Sequence, residues 1–259
     1  MRLDELVSEI ARALGFLSRL PMPARFFAGH DGSMRRTSGA FALAGAVIAL
    51  PPALLIGLLL HFGVKPELAA LLALALQIFL TGGLHEDGLA DCADGLGGGR
   101  TRERILEIMK DSRLGAYGGL ALVLSLGLRL EALAALSGLG PLPAALSMLG
   151  VNAASRAALV WHWFRLVPAR TDGVAAAVGQ PDCTALGAAL ISGGLLYAFT
   201  ILPGFGAVSA VAAALAAGLA VALFTRLVHG KIQGHTGDTL GATEQVCEIA
   251  LYVALAVAA

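Results

Sequence analysis

The sequence predicts an all-α integral membrane protein: a polytopic helical bundle of about seven transmembrane helices, preceded by an amphipathic interfacial helix. Apolar residues make up 57% of the 259 residues and charged residues only 14%, and the mean hydropathy is +0.79. An ordinary soluble domain carries roughly 25% charged residues, and a surface that faces water must be polar. We therefore expect a single integral-membrane domain, residues 1–259, with much of its surface in lipid.

The first element is the amphipathic helix. Residues 1–20 place large apolar side chains on one helical face and arginines and acids on the other. A helix of this kind lies in the interface of a membrane, with its apolar face against the acyl chains. The apolar face consists of Leu3, Leu6, Val7, Ile10, Leu14 and Leu17.

Long stretches without Asp, Glu, Lys or Arg indicate the spans that follow. About 20 apolar residues cross the hydrocarbon core as a helix, and backbone polar groups in lipid must pair within the segment. The uncharged stretch from Cys183 to Thr225 is interrupted by "LPGFG", so we interpret it as two spans joined by a tight turn. The predicted spans are residues 38–62, 67–84, 115–137, 143–164, 184–203, 206–228 and 243–259.

Basic residues predict the orientation of these spans. The loops that alternate on the opposite side, near 63–66, 138–142 and 203–206, contain only Lys65. By the positive-inside rule, the segments rich in Lys and Arg face the cytoplasm, which places the amino terminus inside and the carboxyl terminus outside. These segments are 1–37, 85–113, 165–183 and 229–242.

Charge and cysteine content exclude some classes of protein. The formal net charge is zero, which argues against nucleic acid as the main partner. Cys92, Cys183 and Cys247 are far apart and form no CxxC motif. We therefore expect reduced thiols, with neither a zinc site nor a disulfide framework.

The stretch "GGLHEDGLADCADGLGGGR" concentrates four carboxylates, those of Glu86, Asp87, Asp91 and Asp94. In a helix, Asp87, Asp91 and Asp94 stand at i, i+4 and i+7 and share one face. Carboxylates so arranged repel one another unless a cation lies among them, and Mg²⁺ is typically held by a few carboxylates and substrate phosphates. We predict a Mg²⁺ site at Asp87, Asp91 and Asp94, with Glu86 as a further ligand off that face. The alternative is a solvated acidic loop.

Basic residues follow the acids in "MKDSRLGAYGG", where Lys110, Asp111, Ser112 and Arg113 precede the third span. Cations beside a metal suit a diphosphate, because both neutralise its oxygens during transfer. We predict that these four residues bind substrate. The alternative for Arg113 is the basic flank of a transmembrane helix.

Three further polar residues are predicted to bind substrate. Arg156 lies in "NAASRA", inside an apolar span, where a charge costs at least about 2.5 kcal/mol and usually faces a cavity or a partner. His235 and Asp238 lie in "GHTGDTLGATEQ" on the same predicted side as the acids. The alternatives are a snorkelling arginine and a loop that packs helices together.

The motifs resemble those of a known family. "GGLHEDGLADCADG" followed by "ERILEIMKDSRLGAYG", with "SRLPMP", "SRA" and "GHTGDTLGATEQVCE", is similar to the cobalamin synthases, also called adenosylcobinamide-GDP ribazoletransferases, over essentially the whole chain. The resemblance implies a Mg²⁺-dependent transferase of the bacterial or archaeal inner membrane. In that reaction the 3′-hydroxyl of α-ribazole, or of its 5′-phosphate, attacks the cobinamide-side phosphorus of adenosylcobinamide-GDP, and GMP leaves.

The resemblance also implies roles for the acids. Asp87, Asp91 and Asp94 correspond to the family's carboxylates and are the predicted catalytic residues. Asp87 and Asp94 would be ligands, and Asp91 either a ligand or the base that accepts the hydroxyl proton. The expected partners are the two substrates and the lipid bilayer, without nucleic acid; assembly as a homo-oligomer or with other cobalamin-assembly enzymes is left open.

Two other classes are weighed against this one. The CDP-alcohol phosphotransferases also place aspartates at i, i+4 on membrane helices, but their DGxxAR…GxxxDxxxD pattern is not matched. A secondary transporter would be expected to carry charges near mid-span and two related halves, whereas the charges here are predicted to gather at one membrane edge.

Overall fold

The protein is a bundle of helices in the computed structural model, which describes residues 3–171 and 177–258. Within these ranges the only β-pairing is an isolated bridge between Pro168 and His235, so the predicted fold class is confirmed. The final residue of the predicted span 243–259 and part of the predicted loop 165–183 lie outside the described residues. The helices are α1 Leu3–Leu17, α2 Phe41–His61, α3 Pro66–Thr81, α4 Leu84–Gly98, α5 Arg102–Ile108, α6 Ala116–Ser137, α7 Pro141–Arg165, α8 Cys183–Ile232 and α9 Gly237–Ala258.

Helix α1 is amphipathic, as predicted. Its inward face buries Leu14 and Leu17, whereas Leu3 and Val7 are exposed. Phe16 stacks on Phe41 at the start of α2, with ring centroids 5.8 Å apart. The helix is therefore held against the bundle by the carboxyl-terminal part of its apolar face.

Five of the described helices are long and apolar enough to cross a membrane, or up to six spans if the bent pair α3 and α4 counts as one. Helix α8 has 50 residues and breaks at Gly206, whose φ of 74° and ψ of 168° are accessible only to glycine. A straight helix of this many residues would be about 75 Å long, more than twice the hydrocarbon thickness. The Tyr197 hydroxyl donates to the Ala210 carbonyl across the break, at 2.9 Å. The two arms therefore fold back on each other and correspond to the predicted spans 184–203 and 206–228.

A sharp bend separates α3 from α4. Gly82 and Gly83 have φ values of 68° and 73°, a left-handed conformation that glycine adopts without strain. The axes of α3 and α4 meet at 87°. Helix α3 consequently ends at Thr81, three residues before the predicted limit, and α4 leaves it to pack against α6 and α9. This bend places the acidic stretch between two other helices.

The interior contains an apolar and a polar part. Ile56, Leu133, Met148 and Tyr252, from α2, α6, α7 and α9, belong to one buried apolar cluster. Beside it, α4, α6, α7 and α9 bury several charged side chains almost completely. Exposed Leu, Val and Phe side chains cover the outside, in agreement with a membrane protein.

Candidate active site

Three of the four acids on α4, Glu86, Asp87 and Asp91, line an open cavity, and two of them have no protein partner there. Asp87 is exposed and Asp91 is half-buried, and neither forms a side-chain hydrogen bond or ion pair within residues 3–171 and 177–258. Carboxylates on consecutive turns of one helix repel each other, so a bound cation would be favoured here. The cavity has a volume of about 690 Å³; we call it the α4 cavity, and it is lined by Asp87, Asp91, Arg19, Gly82, Ser112 and Leu122, among others.

Asp94 faces a different partner. Its carboxylate is buried and accepts hydrogen bonds from the backbone N–H groups of Gly115, at 2.7 Å, and Gly118, at 2.9 Å. These amides lie at the first turn of α6, where a negative charge is stabilised by the helix dipole. A Cβ at Gly115 would lie 2.7 Å from Asp94 Cγ, so the glycines of "LGAYGG" admit the carboxylate. Asp94 thereby fixes the carboxyl-terminal half of α4 to α6.

Glu86 forms part of the cavity wall, but its carboxylate is bound from the protein side. Both terminal nitrogens of Arg129 donate to Glu86 Oε1, each at 3.1 Å, and Gln245 donates to the same atom at 3.4 Å. Arg129 is fully buried on α6 and also contacts Glu248, at 3.5 Å. The charge of Glu86 is therefore compensated without a metal.

The contacts of Glu86 continue through the bundle. Gln77 donates to Glu248 at 3.0 Å and accepts from Asn152 at 3.1 Å. Arg156 then donates to Asn152 Oδ1 at 2.7 Å and to Glu244 at 2.8 Å. The result is a continuous set of side chains from α3, α4, α6, α7 and α9, which we call the buried polar network: Gln77, Glu86, Ser125, Arg129, Asn152, Ser155, Arg156, Glu244, Gln245 and Glu248.

Arg156 therefore has a partner inside the bundle. It is fully buried, and its contacts are with Asn152, Ser155 and Glu244. It does not line the α4 cavity. The expectation that this intramembrane charge has a partner is met, while its predicted role in substrate binding has no support from its position.

The residues of the predicted substrate-binding segment 110–113 differ in where their side chains lie. Ser112 lines the α4 cavity, whereas Arg113 does not, and its side chain is 87% exposed. Arg113 Nε donates to Asp111 Oδ1 at 2.9 Å. The hydrogen bonds from Arg113 lower the pKa of Asp111 to about 2. Lys110 is exposed on the same segment. Of the four residues, Ser112 alone is among those that line the α4 cavity, and substrate binding by the other three stays a prediction.

Asp238 lies beside the acids of α4. A Cβ at Gly88 would be 2.8 Å from the Asp238 carbonyl, so the start of α9 touches α4. The Asp238 carboxylate accepts from Arg170 at 3.3 Å and from Thr236 at 3.1 Å. It also interacts electrostatically with Asp91. Asp238 is therefore brought near the catalytic candidates, with its charge partly compensated by Arg170.

His235 is placed inside the fold. Its backbone N–H donates to the Val167 carbonyl and its carbonyl accepts from the Ala169 N–H, each at 2.8 Å. Its ring packs edge-on against Trp163, with ring centroids 6.3 Å apart. Burial lowers the pKa of His235 to about 4, so the imidazole is neutral near pH 7. The contacts assign it to the attachment of the 166–169 segment, and the α4 cavity is lined by other residues.

Sequence reasoning missed two arginines that the structure places prominently. Arg129 lies within the predicted span 115–137, and the argument that singles out Arg156 applies to it equally. Arg19 belongs to the basic segment 1–37 that predicts the orientation, and it also lines the α4 cavity. Its signal, "SRLPMP", carries no chemistry that spacing alone would reveal.

Comparison with known proteins identifies the family. The family model described as cobalamin-5-phosphate synthase matches residues 9–256. The chain belongs to the cobalamin-5-phosphate synthase family. It is 53% identical to an adenosylcobinamide-GDP ribazoletransferase from Rhizobium johnstonii and 52% identical to one from Rhizobium etli, each over 259 residues and the full length of both chains. It is 50% identical over 256 residues to that of Rhizobium meliloti, covering 98% of each chain. No solved structure matches.

Membership in the cobalamin-5-phosphate synthase family confirms the resemblance stated from the motifs. Because the match spans residues 9–256, no large part of the chain needs a different explanation. The family assignment therefore replaces the CDP-alcohol phosphotransferase and the transporter as interpretations of the acidic helix.

The residues can be tested against the Mg²⁺ expected for the family. Among the described residues, no group of three or more His, Cys, Asp or Glu side chains is placed to hold a metal ion. Asp94 and Glu86 already have protein donors. Asp87 and Asp91 are left, and two carboxylates suit Mg²⁺, which usually takes one or two together with substrate phosphates. The donor set thus fits a metal bound jointly with substrate.

Proposed function

We propose that the chain transfers the phosphocobinamide moiety of adenosylcobinamide-GDP to the 3′-hydroxyl of α-ribazole, or of its 5′-phosphate, and releases GMP. The observation that carries this proposal is the combination of family and geometry: the chain belongs to the cobalamin-5-phosphate synthases over residues 9–256, and Asp87 and Asp91 face a cavity of about 690 Å³. Its curated relatives are named for this activity. The α4 cavity is proposed as the site of transfer.

The reaction needs a group that takes a proton. The acceptor's 3′-oxygen bonds to the cobinamide-side phosphorus, its proton goes to a carboxylate, and the bond from that phosphorus to the GMP oxygen breaks. Asp87 and Asp91 have no side-chain hydrogen-bond donor within the described part of the chain, so each has oxygens available for this proton. Asp94 has both oxygens occupied by amides, so we assign it a positioning role.

Magnesium is proposed as the cofactor. When bound, it would be held by Asp87 and Asp91 together with phosphate oxygens and would neutralise charge on the transferring phosphoryl group. Support comes from electrostatic repulsion: Asp91 interacts with the carboxylates of Asp87, Asp94 and Asp238, and a bound cation would relieve it. Ser112 lies on the cavity wall, and we propose that its hydroxyl donates a hydrogen bond to the substrate.

The central experiment measures GMP release. Membranes containing the full chain are supplied with adenosylcobinamide-GDP, α-ribazole and Mg²⁺, and each component is omitted in turn. We expect GMP only in the complete mixture, loss of GMP in Asp91→Asn, and parental release in Glu103→Gln, an exposed acid on α5. GMP release that does not depend on acceptor, or parental turnover in Asp91→Asn, contradicts the proposal.

A second proposal concerns location. We propose that the protein lies in the bacterial inner membrane with the α4 cavity open to the cytoplasm, because segment 85–113 and the other segments on its predicted side carry nearly all the loop arginines and lysines, whereas the opposite loops carry only Lys65. Single cysteines at Gly98 and Gly237, both exposed, test this orientation in intact cells. An impermeant reagent should label them only after the cells are opened, and labelling from outside contradicts the orientation.

A further inference from the structure

Arg19 is held beside the α4 cavity by a hydrogen bond of its backbone. Helix α1 ends at Leu17, and the Ser18 hydroxyl donates to the Leu14 carbonyl at 2.6 Å. The Arg19 N–H then donates to the carbonyl of Leu80, near the end of α3, at 2.8 Å. This long-range bond joins the amino-terminal segment to the helix that precedes the acids. The position of Arg19 is therefore set by the fold and does not depend on the chance conformation of a terminus.

The side chain of Arg19 lies against the turn between α3 and α4. A Cβ at Gly82 would be 2.8 Å from Arg19 Cζ, so the guanidinium occupies the space that a side chain at Gly82 would fill. Gly82 also adopts a φ of 68°. Glycine at this position thus serves both the bend and the close approach of the arginine.

Charge in the α4 cavity makes Arg19 distinctive. Among the described residues that line it, Arg19 is the sole Lys or Arg, and it faces the same space as Asp87 and Asp91. Its guanidinium makes no hydrogen bond or ion pair with any residue in 3–171 or 177–258, although it is exposed to the cavity. Arg113, by contrast, is paired with Asp111 and points to solvent. The guanidinium of Arg19 is therefore available to bind an anion in the α4 cavity.

We infer that Arg19 binds the diphosphate oxygens of the donor, opposite Asp87 and Asp91. The inference rests on the proposed function. The attacked phosphorus must lie beside the carboxylate that takes the hydroxyl proton, and a diphosphate next to two carboxylates requires compensating positive charge. A guanidinium presents parallel N–H donors that match phosphate oxygens. The acceptor's optional 5′-phosphate is the other phosphate that could enter the cavity, and the experiment separates the two.

The test compares kinetic constants for the two substrates in nanodiscs. Arg19→Gln removes the charge, Arg19→Lys keeps the charge without the planar fork, and Arg25→Gln is the matched control, an exposed arginine in the same connecting segment outside the cavity. We expect Arg19→Gln to lower kcat/KM for adenosylcobinamide-GDP about ten- to hundredfold. The KM for α-ribazole and for α-ribazole 5′-phosphate should stay within about twofold. Arg19→Lys should be intermediate, and Arg25→Gln parental.

A binding measurement provides a readout that does not depend on turnover. Adenosylcobinamide-GDP and adenosylcobinamide, which lacks the whole GDP moiety, are each added during thermal unfolding of the parent and of Arg19→Gln. A ligand that binds only the folded state raises the melting temperature. The variant should lose much of the extra stabilisation given by the GDP moiety and keep that given by adenosylcobinamide. If Arg19→Gln does not fold, the same comparison is made with Arg19→Lys, for which a reduced difference is expected.

The outcomes distinguish this inference from the proposed function. A parent that releases no GMP from the complete mixture refutes the function, whatever the variants do. A working parent with a parental donor constant in Arg19→Gln refutes the inference alone. So does a change confined to α-ribazole 5′-phosphate, or an equal loss of stabilisation by both corrinoids.

Discussion

Glu86 and Asp87 are adjacent in α4, yet their carboxylates meet opposite surroundings. Glu86 is buried and receives two hydrogen bonds from Arg129, whereas Asp87 is exposed on the α4 cavity without a protein partner within the described ranges. Successive residues in a helix point about 100° apart, so one acidic stretch supplies two environments. The negative charge of Glu86 is compensated by Arg129 of the protein, whereas that of Asp87 has to be compensated by a bound species.

This comparison separates two roles that a count of carboxylates cannot. The buried side joins five helices through Arg129, Arg156 and their partners. On the cavity side, Asp87 and Asp91 repel each other unless a cation is bound. Substitutions on the first side should therefore change stability more than catalysis, and those on the second side should do the reverse.

The largest effect on turnover is expected for Asp87, measured against its neighbour Glu86. Asp87→Asn should reduce GMP release by about 10²–10⁴-fold, the usual contribution of a general base, while the protein still inserts and folds. Glu86→Gln should retain partial turnover and melt at a lower temperature. Mg²⁺ should raise the melting temperature of the parent and of Glu86→Gln more than that of Asp87→Asn. Equal turnover in the two variants would remove the distinction between the faces.

The next largest effect concerns Arg129. Replacing it by Ala leaves Glu86 and Glu248 buried without their shared cation, and breaking a buried ion pair typically costs about 3–5 kcal/mol. We expect little folded protein and a much lower melting temperature in detergent. The double variant Arg129→Gln with Glu248→Gln should recover part of the loss, because it removes a charge of each sign. Parental melting of Arg129→Ala would show that the network carries no stability.

Asp94 is the intermediate case, since its partners are backbone amides. Asp94→Asn keeps the shape but can accept with only one of its two terminal atoms, so the bonds from Gly115 and Gly118 cannot both persist. We expect a loss of about 1–3 kcal/mol in the free energy of unfolding and a reduced kcat through misplacement of α4. Asp94→Glu, which retains the charge, is the control. Unchanged stability with abolished turnover would instead favour a direct catalytic role for Asp94.

The smallest effect is expected for Arg113. Its side chain is 87% exposed and pairs with Asp111, so Arg113→Ala should change kcat/KM for the donor by no more than about twofold. The pair lowers the pKa of Asp111 from 3.8 to about 2, so its contribution to stability is present above pH 3.8 and is lost as the pH falls toward 2. Turnover between pH 5 and 8 should therefore show no titration from this pair. A tenfold loss in Arg113→Ala would restore it as a donor contact.

The sequence predicted the fold well because membrane insertion reads local composition. Uncharged stretches placed the helices, and "LPGFG" located the break in α8 at Gly206. The end of α3 was misplaced by three residues, since glycine is tolerated in a transmembrane helix and "GG" does not by itself specify the left-handed pair at Gly82 and Gly83. The 87° bend that follows was consequently absent from the prediction.

The site was predicted only in part because its contacts are not local. Periodicity gives the face on which an acid lies, but Glu86 meets Arg129 across 43 positions, and Asp94 meets Gly115 across 21. Arg19 reaches the cavity through a backbone bond to Leu80, which no spacing rule anticipates. Residue type identified the acids, and only the fold shows which of them have protein partners.

Helix α9 has a consequence for how the chain is made. It is synthesised after the other described helices, and it carries Glu244 and Glu248, which contact Arg156 and Arg129 on earlier helices. Helices generally insert before they associate, and an unpaired arginine in a span is costly. The nascent protein must therefore hold two incompletely neutralised arginines in the bilayer until α9 inserts and packs against α6 and α7.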